Sequence, residues 1–137
     1  MMIPAGSRNM RTQYHLRNSE RGLLAWDVRG LIERAMGLIP FDLPLQEIRE
    51  LDETFWFDHE GDHPTCRKVA EHAKLIEETD LSYPIIIDPD GRVMDGMHRV
   101  CKALVEGRTS VKAVRLKAMP DPDFIGVAAE DLPYEEK

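Results

Sequence analysis

The feature that most constrains this chain is the run from Pro84 to Gly107. Pro84-Ile85-Ile86-Ile87-Asp88 is a short apolar strand. Pro89-Asp90-Gly91 is a turn with a physical cause, since proline presets φ and glycine supplies a positive one. Arg92-Val93-Met94 is then the return strand of a hairpin. A helix follows at once, with Met97, Val100, Cys101, Leu104 and Val105 as its apolar face and Gly107 at its end. Lys102 and Glu106 are spaced to pair on its outside.

Between hairpin and helix stands Asp95-Gly96-Met97-His98-Arg99. A helix start offers unpaired N–H groups and a partial positive charge. Gly96 permits close backbone approach, and His98 and Arg99 add donors, with arginine's fork matched to phosphate oxygens. These parts make an anion site. A simpler account uses the same residues: Asp95 caps the helix, Gly96 makes the turn, and His98 and Arg99 are solvated. Residue chemistry alone leaves both open.

The flanks are less distinctive. Residues 1–18 read as an irregular arm. Ser19 can cap a helix beginning near Glu20, with Leu24, Val28, Leu31, Ile32 and Ala35 at helical spacing and Gly37 beyond its end. Gly30 weakens that helix by about 1 kcal/mol relative to alanine. Leu45–Leu51 is expected to be the first strand. Pro64 suits a first helical turn, and Cys66, Val69, Ala70, Ala73 and Ile76 continue as a stripe, leaving His72 on the polar, solvent-exposed side. Val111–Leu116 is a last strand, and 118–137 an extended tail wrapping the surface. The order of elements predicts a small α+β fold, a mixed sheet with flanking helices, over residues 19–117.

The 137 residues fit one domain, and 42% hydrophobic content suffices for a core. A net charge of -7 without a basic stripe disfavours nucleic acid as a partner. Cys66 and Cys101 make neither a disulfide framework nor a four-ligand zinc site. No apolar run is long enough for a membrane span and no signal peptide is evident, so a cytoplasmic location is expected.

The stretch from Tyr83 to Gly107, with its D-G-x-H-R helix start after a hairpin, resembles the ParB/sulfiredoxin-like superfamily; so does the helix before it, and the likeness covers residues 44–117. The resemblance implies that Gly96, His98 and Arg99 contact phosphate in a nucleotide or other phosphorylated small molecule, with Asp95 and Met97 in the same loop. Met97 stands where sulfiredoxin carries its catalytic cysteine, which argues against that chemistry. The chain lacks the helix-turn-helix of a full ParB, which argues against DNA partition.

A kinase branch of the superfamily places a carboxylate near the first strand. Asp52 or Glu53, beside Glu50, is therefore the candidate base for phosphoryl transfer or nucleotide hydrolysis, alone or holding Mg2+, with His98 as a further catalytic candidate. An ordinary charged strand end is the plainer account of these acids. Two of Phe55, Trp56 and Phe57 are expected to pack in the core, since three consecutive aromatics cannot all face it; at least one is left to line a pocket, stack a base or serve a homodimer contact. Asp58, His59, Glu60, Asp62 and His63 read as a solvated loop ahead of any metal site. A ligand-sensing module without turnover remains the alternative.

Overall fold

The computed structural model describes residues 13–57 and 63–134. The protein is a small α+β fold. A four-stranded sheet has the order β3-β6-β4-β5: β3 (Phe41–Pro44), β6 (Ser110–Arg115), β4 (Ile85–Ile87) and β5 (Val93–Asp95). β6 pairs parallel with β4, and the other two pairings are antiparallel. A smaller antiparallel sheet has the order β1-β2-β7, from Tyr14–Arg17, Leu24–Asp27 and Phe124–Ile125. The helices are α1 (Val28–Ala35), α2 (Cys66–Glu78) and α3 (Met97–Val105).

Both faces of the larger sheet are covered, which explains its uninterrupted Ile85-Ile86-Ile87 run. Ile85, Ile87, Val111 and Ala113 face a core shared with Val100 and Ala103 of α3. Ile86, Val114 and Leu116 point the other way, to Trp26 and to Leu31 of α1. The hairpin forms as its turn chemistry predicts, with Gly91 at φ +89°. Asp88 adds a brace, its Oδ1 accepting from the backbone N–H groups of Asp90 and Arg92.

Several expectations fail locally. The helix foreseen from Glu20 starts only at Val28, where Asp27 accepts from the Arg29 N–H and caps it; Leu24–Asp27 is a strand. Part of the expected arm, Tyr14–Arg17, is that strand's partner. Leu45–Leu51 forms two 3₁₀ turns over Leu45–Glu47 and Arg49–Asp52, and the strand lies just before, at Phe41–Pro44. The polar residues there defeat period-two alternation, and Leu45, Ile48 and Glu50 are the buried positions.

α2 forms as predicted but faces the other way. Cys66, Val69, Ala70 and Ala73 are exposed, whereas Lys68, His72 and Ile76 are half-buried. Leu104 and Val105 of α3 are likewise exposed, and Arg99 is buried in the same helix. Lys102 does not pair with Glu106; its Nζ donates to the Glu77 and Thr79 carbonyls and so caps the C-terminus of α2. The tail folds back: Pro120 accepts from the Trp26 indole, β7 joins β2, and Leu132 is buried. Among the described residues no helix is long and apolar enough to cross a membrane.

Candidate functional site

The site is built where β5 ends. Gly96 occupies the N-cap of α3 at φ +108°, ψ 21°. A Cβ there would lie 2.7 Å from Ile85 Cγ2 and 2.8 Å from Arg99 Nη2, so close packing as well as φ requires glycine. The helix start has no side-chain cap. The expected cap, Asp95, instead uses its Oδ2 to accept from Arg99 Nη2 at 3.0 Å.

The first turn of α3 looks into a cavity of about 310 Å³. Asp95, Gly96, Met97 and His98 form one side; Tyr14, His15 and Leu16 of β1, with Phe55 and Trp56, form much of the rest. Phe55–Phe57 is a 3₁₀ turn, and Phe55 meets Trp56 edge-on with centroids 6.3 Å apart. Phe55 stacks against His15, their centroids 6.1 Å apart. Phe57 meets His72 edge-on.

Trp56 carries two imidazoles on its indole. His72 lies 4.1 Å from it at 16°, and His98 4.5 Å at 19°. His72 Nδ1 and His98 Nε2 are 2.9 Å apart, so one donates to the other. His72 is thus part of the site and not the exposed residue its sequence context suggests; the aromatic partner that draws it inward is remote in sequence. Burial, then the charges of His72 and Arg99, push His98 down to about 4, so it is neutral at pH 7. It brings no cationic charge to an anion.

A second, polar cavity of about 580 Å³ adjoins the first, sharing His15, Leu16 and Phe55. Glu50, Asp52 and Glu53 line it with Arg17 and Arg92. Arg92 grips Glu53 through two hydrogen bonds of 2.7 and 3.0 Å, which hold that carboxyl below its usual range. Glu50 is 2% exposed. Its Oε2 accepts from the Val93 N–H at 2.8 Å and faces Arg92 Nε at 3.2 Å, while its Oε1 has no partner. Arg17 donates from Nη1 to Asp88 and from Nε to His15, leaving Nη2 unpartnered. Burial and Arg17 drive His15 down to about 3. That agrees with its Nε2 acting as an acceptor.

Arg92 engages both Glu50 and Glu53. Among the described residues no group of three or more His, Cys, Asp or Glu side chains is placed to hold a metal ion. Asp58, His59, Glu60 and Asp62 lie outside the described residues, and His63 is exposed.

Comparison with protein-family models, curated proteins and solved structures found no match. The site is therefore characterised by its own geometry. That geometry brings Asp95, Gly96, Met97 and His98 together, and sets Asp52 and Glu53 in the neighbouring cavity. It does not bring Arg99 to either: its guanidinium turns beneath the loop, 7% exposed, towards Asp95 and the Pro84 carbonyl. Cys101 is half-buried against the core, and burial raises its thiol. Sequence reading gave no role to His15, Arg17 or Arg92. Tyr14-His15-Leu16-Arg17 is only four residues long and its buried position is the polar His15, so its alternation does not mark the face that turns inward.

Proposed function

We propose that this chain binds a nucleotide or another phosphorylated small molecule, with phosphate at the first turn of α3 and the organic part against Phe55 and Trp56. The observation that carries the reading is the cavity itself, in which a glycine-capped helix start faces an aromatic wall. The likeness of the Asp95–Arg99 motif to the ParB/sulfiredoxin-like superfamily supports the same ligand class.

The division of labour differs from a simple reading of the motif. Backbone N–H groups and the helix dipole supply the attraction, because His98 is neutral and paired with His72. Arg99 acts through Asp95, neutralising a carboxylate that would otherwise repel the phosphate.

Binding without turnover is the form the side chains favour. His98 and Glu53, two of the three candidate catalytic groups, are already committed to His72 and Arg92. A proton-poor Glu53 held by Arg92 is a weak base. Calorimetric titration with a nucleotide panel, with and without Mg2+, tests the reading. Saturable binding is expected, weakened at least tenfold in Arg99→Ala and partly restored in Asp95→Asn/Arg99→Ala. The proposal fails if no nucleotide binds or if Arg99→Ala binds equally well. Phosphate release from a bound nucleotide, abolished by Asp52→Asn, would instead make the protein an enzyme.

A further inference from the structure

Of α1, α2 and α3, α2 alone has no fully buried residue among those described. It rests on the rest of the protein through half-buried Lys68, His72 and Ile76. Two rows run along its outer surface. One is apolar: Cys66, Val69 and Ala73 are exposed, Val69 at 52%, and Ile76 adjoins them at the inner edge. The other is charged: Arg67, Glu71, Lys74 and Glu78 are all exposed and recur at steps of four, three and four residues, which keeps them in line on a helix. With each residue turned by roughly 100°, Ala70 falls between the two rows.

The charged row has a particular order. From the N-terminus it reads plus, minus, plus, minus. Its spacing permits ion pairs along the helix, yet among the described residues none joins these four side chains. Read backwards, the row is minus, plus, minus, plus. A second α2 laid antiparallel therefore sets Arg67 against the second copy's Glu78, and Glu71 against the second copy's Lys74. Two-fold symmetry makes each of these contacts twice. A parallel copy would set like charges together. The same antiparallel register lays apolar row on apolar row, with Val69 beside the second copy's Ile76 and Ala73 next to the two-fold axis. It also opposes the two helix dipoles.

We propose that the outer face of α2 is a self-association surface on which a second copy of this chain docks its own α2 antiparallel. The charge order argues for a copy and not a different protein, because the row is complementary to its own reversal. The thirteen residues span about 20 Å, so the contact is small and the dimer weak and reversible. The surface is separate from the phosphate reading, since His72, which meets Trp56 and His98, lies on the inner face of the helix.

Sedimentation equilibrium of the full chain at rising concentration, in low and high salt, tests the proposal. A reversible monomer–dimer equilibrium is expected, weakened by salt because the pairs are exposed. Methyl NMR should show concentration-dependent shifts at Val69, Ala70 and Ala73. Arg67→Glu sets a carboxylate against the second copy's Glu78 twice and should weaken the dimer roughly tenfold. Arg67→Glu/Glu78→Arg should restore it. An acid near the start of α2 and a cation near its end suit the helix dipole, so neither change weakens the helix itself. The proposal is overturned if the chain is a monomer up to about 1 mM, which leaves the face bare or open to a different partner. It is also overturned if the shifts map elsewhere, or if the double variant associates no better than Arg67→Glu. Nucleotide titration is read separately, so the two proposals fail independently.

Discussion

Replacing Gly96 with alanine tests the geometry on which the site depends. Two penalties apply. A residue with a Cβ at φ +108° is strained, by roughly 1–2 kcal/mol for a left-handed conformation. The new methyl also meets Ile85 Cγ2 at 2.7 Å and Cβ at 2.9 Å. Ile85 is fully buried in the central strand and has nowhere to move, so overpacking adds about 1–3 kcal/mol. The expected loss is about 2–5 kcal/mol, a large part of an ordinary domain's stability. Gly107→Ala is the internal control. Gly107 also has a positive φ, of +77°, but a Cβ there meets nothing within 4 Å. It carries the backbone penalty without the steric one, and both variants share the same restriction of the unfolded chain. Urea unfolding followed by the fluorescence of Trp26 and Trp56 gives both values. Gly96→Ala should be the less stable by about 1–3 kcal/mol. Equal loss in the two variants would refute the argument that packing against Ile85 dictates glycine at this helix start.

Acidification provides a second prediction. His15 and His98 lie at about 3 and about 4 in the folded protein, below the ordinary imidazole value of 6.5. The unfolded chain therefore takes up these protons first. Their contribution is full above pH 6.5 and is lost as pH falls, towards about 4 for His98 and about 3 for His15; for buried His15 it is on the order of 5 kcal/mol. Urea unfolding between pH 7 and 4.5 should show this slope, and His15→Asn should flatten it; an unchanged slope would contradict the burial argument. Trp56→Ala removes the surface on which both imidazoles stack, and an NMR titration should then find His98 closer to 6.5 than in the parent protein. Glu50→Ala leaves the buried Val93 N–H without its acceptor, while Arg92 keeps Glu53, and should cost about 1–3 kcal/mol by chemical denaturation, whereas exposed Asp52→Ala should change stability by less than about 0.5 kcal/mol.

Local sequence was sufficient wherever the deciding forces act over a few residues. The β4–β5 turn follows from Pro89-Asp90-Gly91, and the glycine between β5 and α3 from the left-handed conformation that an abrupt strand-to-helix junction demands. α2 and β6 follow from periodicity alone. The small α+β fold follows from the order of these elements. What sequence could not assign was direction. Of the stripe Cys66, Val69, Ala70, Ala73 and Ile76 only Ile76 turns inward; the inner face also carries Lys68 and His72, because Trp56 offers His72 a stacking surface and His98 a hydrogen bond. Arg99 reads as a solvent-facing donor at a helix start, yet Asp95, four residues back, holds it beneath the loop.

The Asp95–Arg99 segment shows the boundary well. Its residue types and its place between strand and helix were legible in the chain, because a turn and a cap are settled by neighbours. Which cavity each side chain enters was decided only when residues far apart in sequence met: Trp56 with His72 and His98, Ile85 with Gly96, and Arg17 with Asp88. Tertiary packing alone makes His98 neutral and sets it against the aromatic wall of its cavity, since burial and stacking depend on partners that no local pattern specifies.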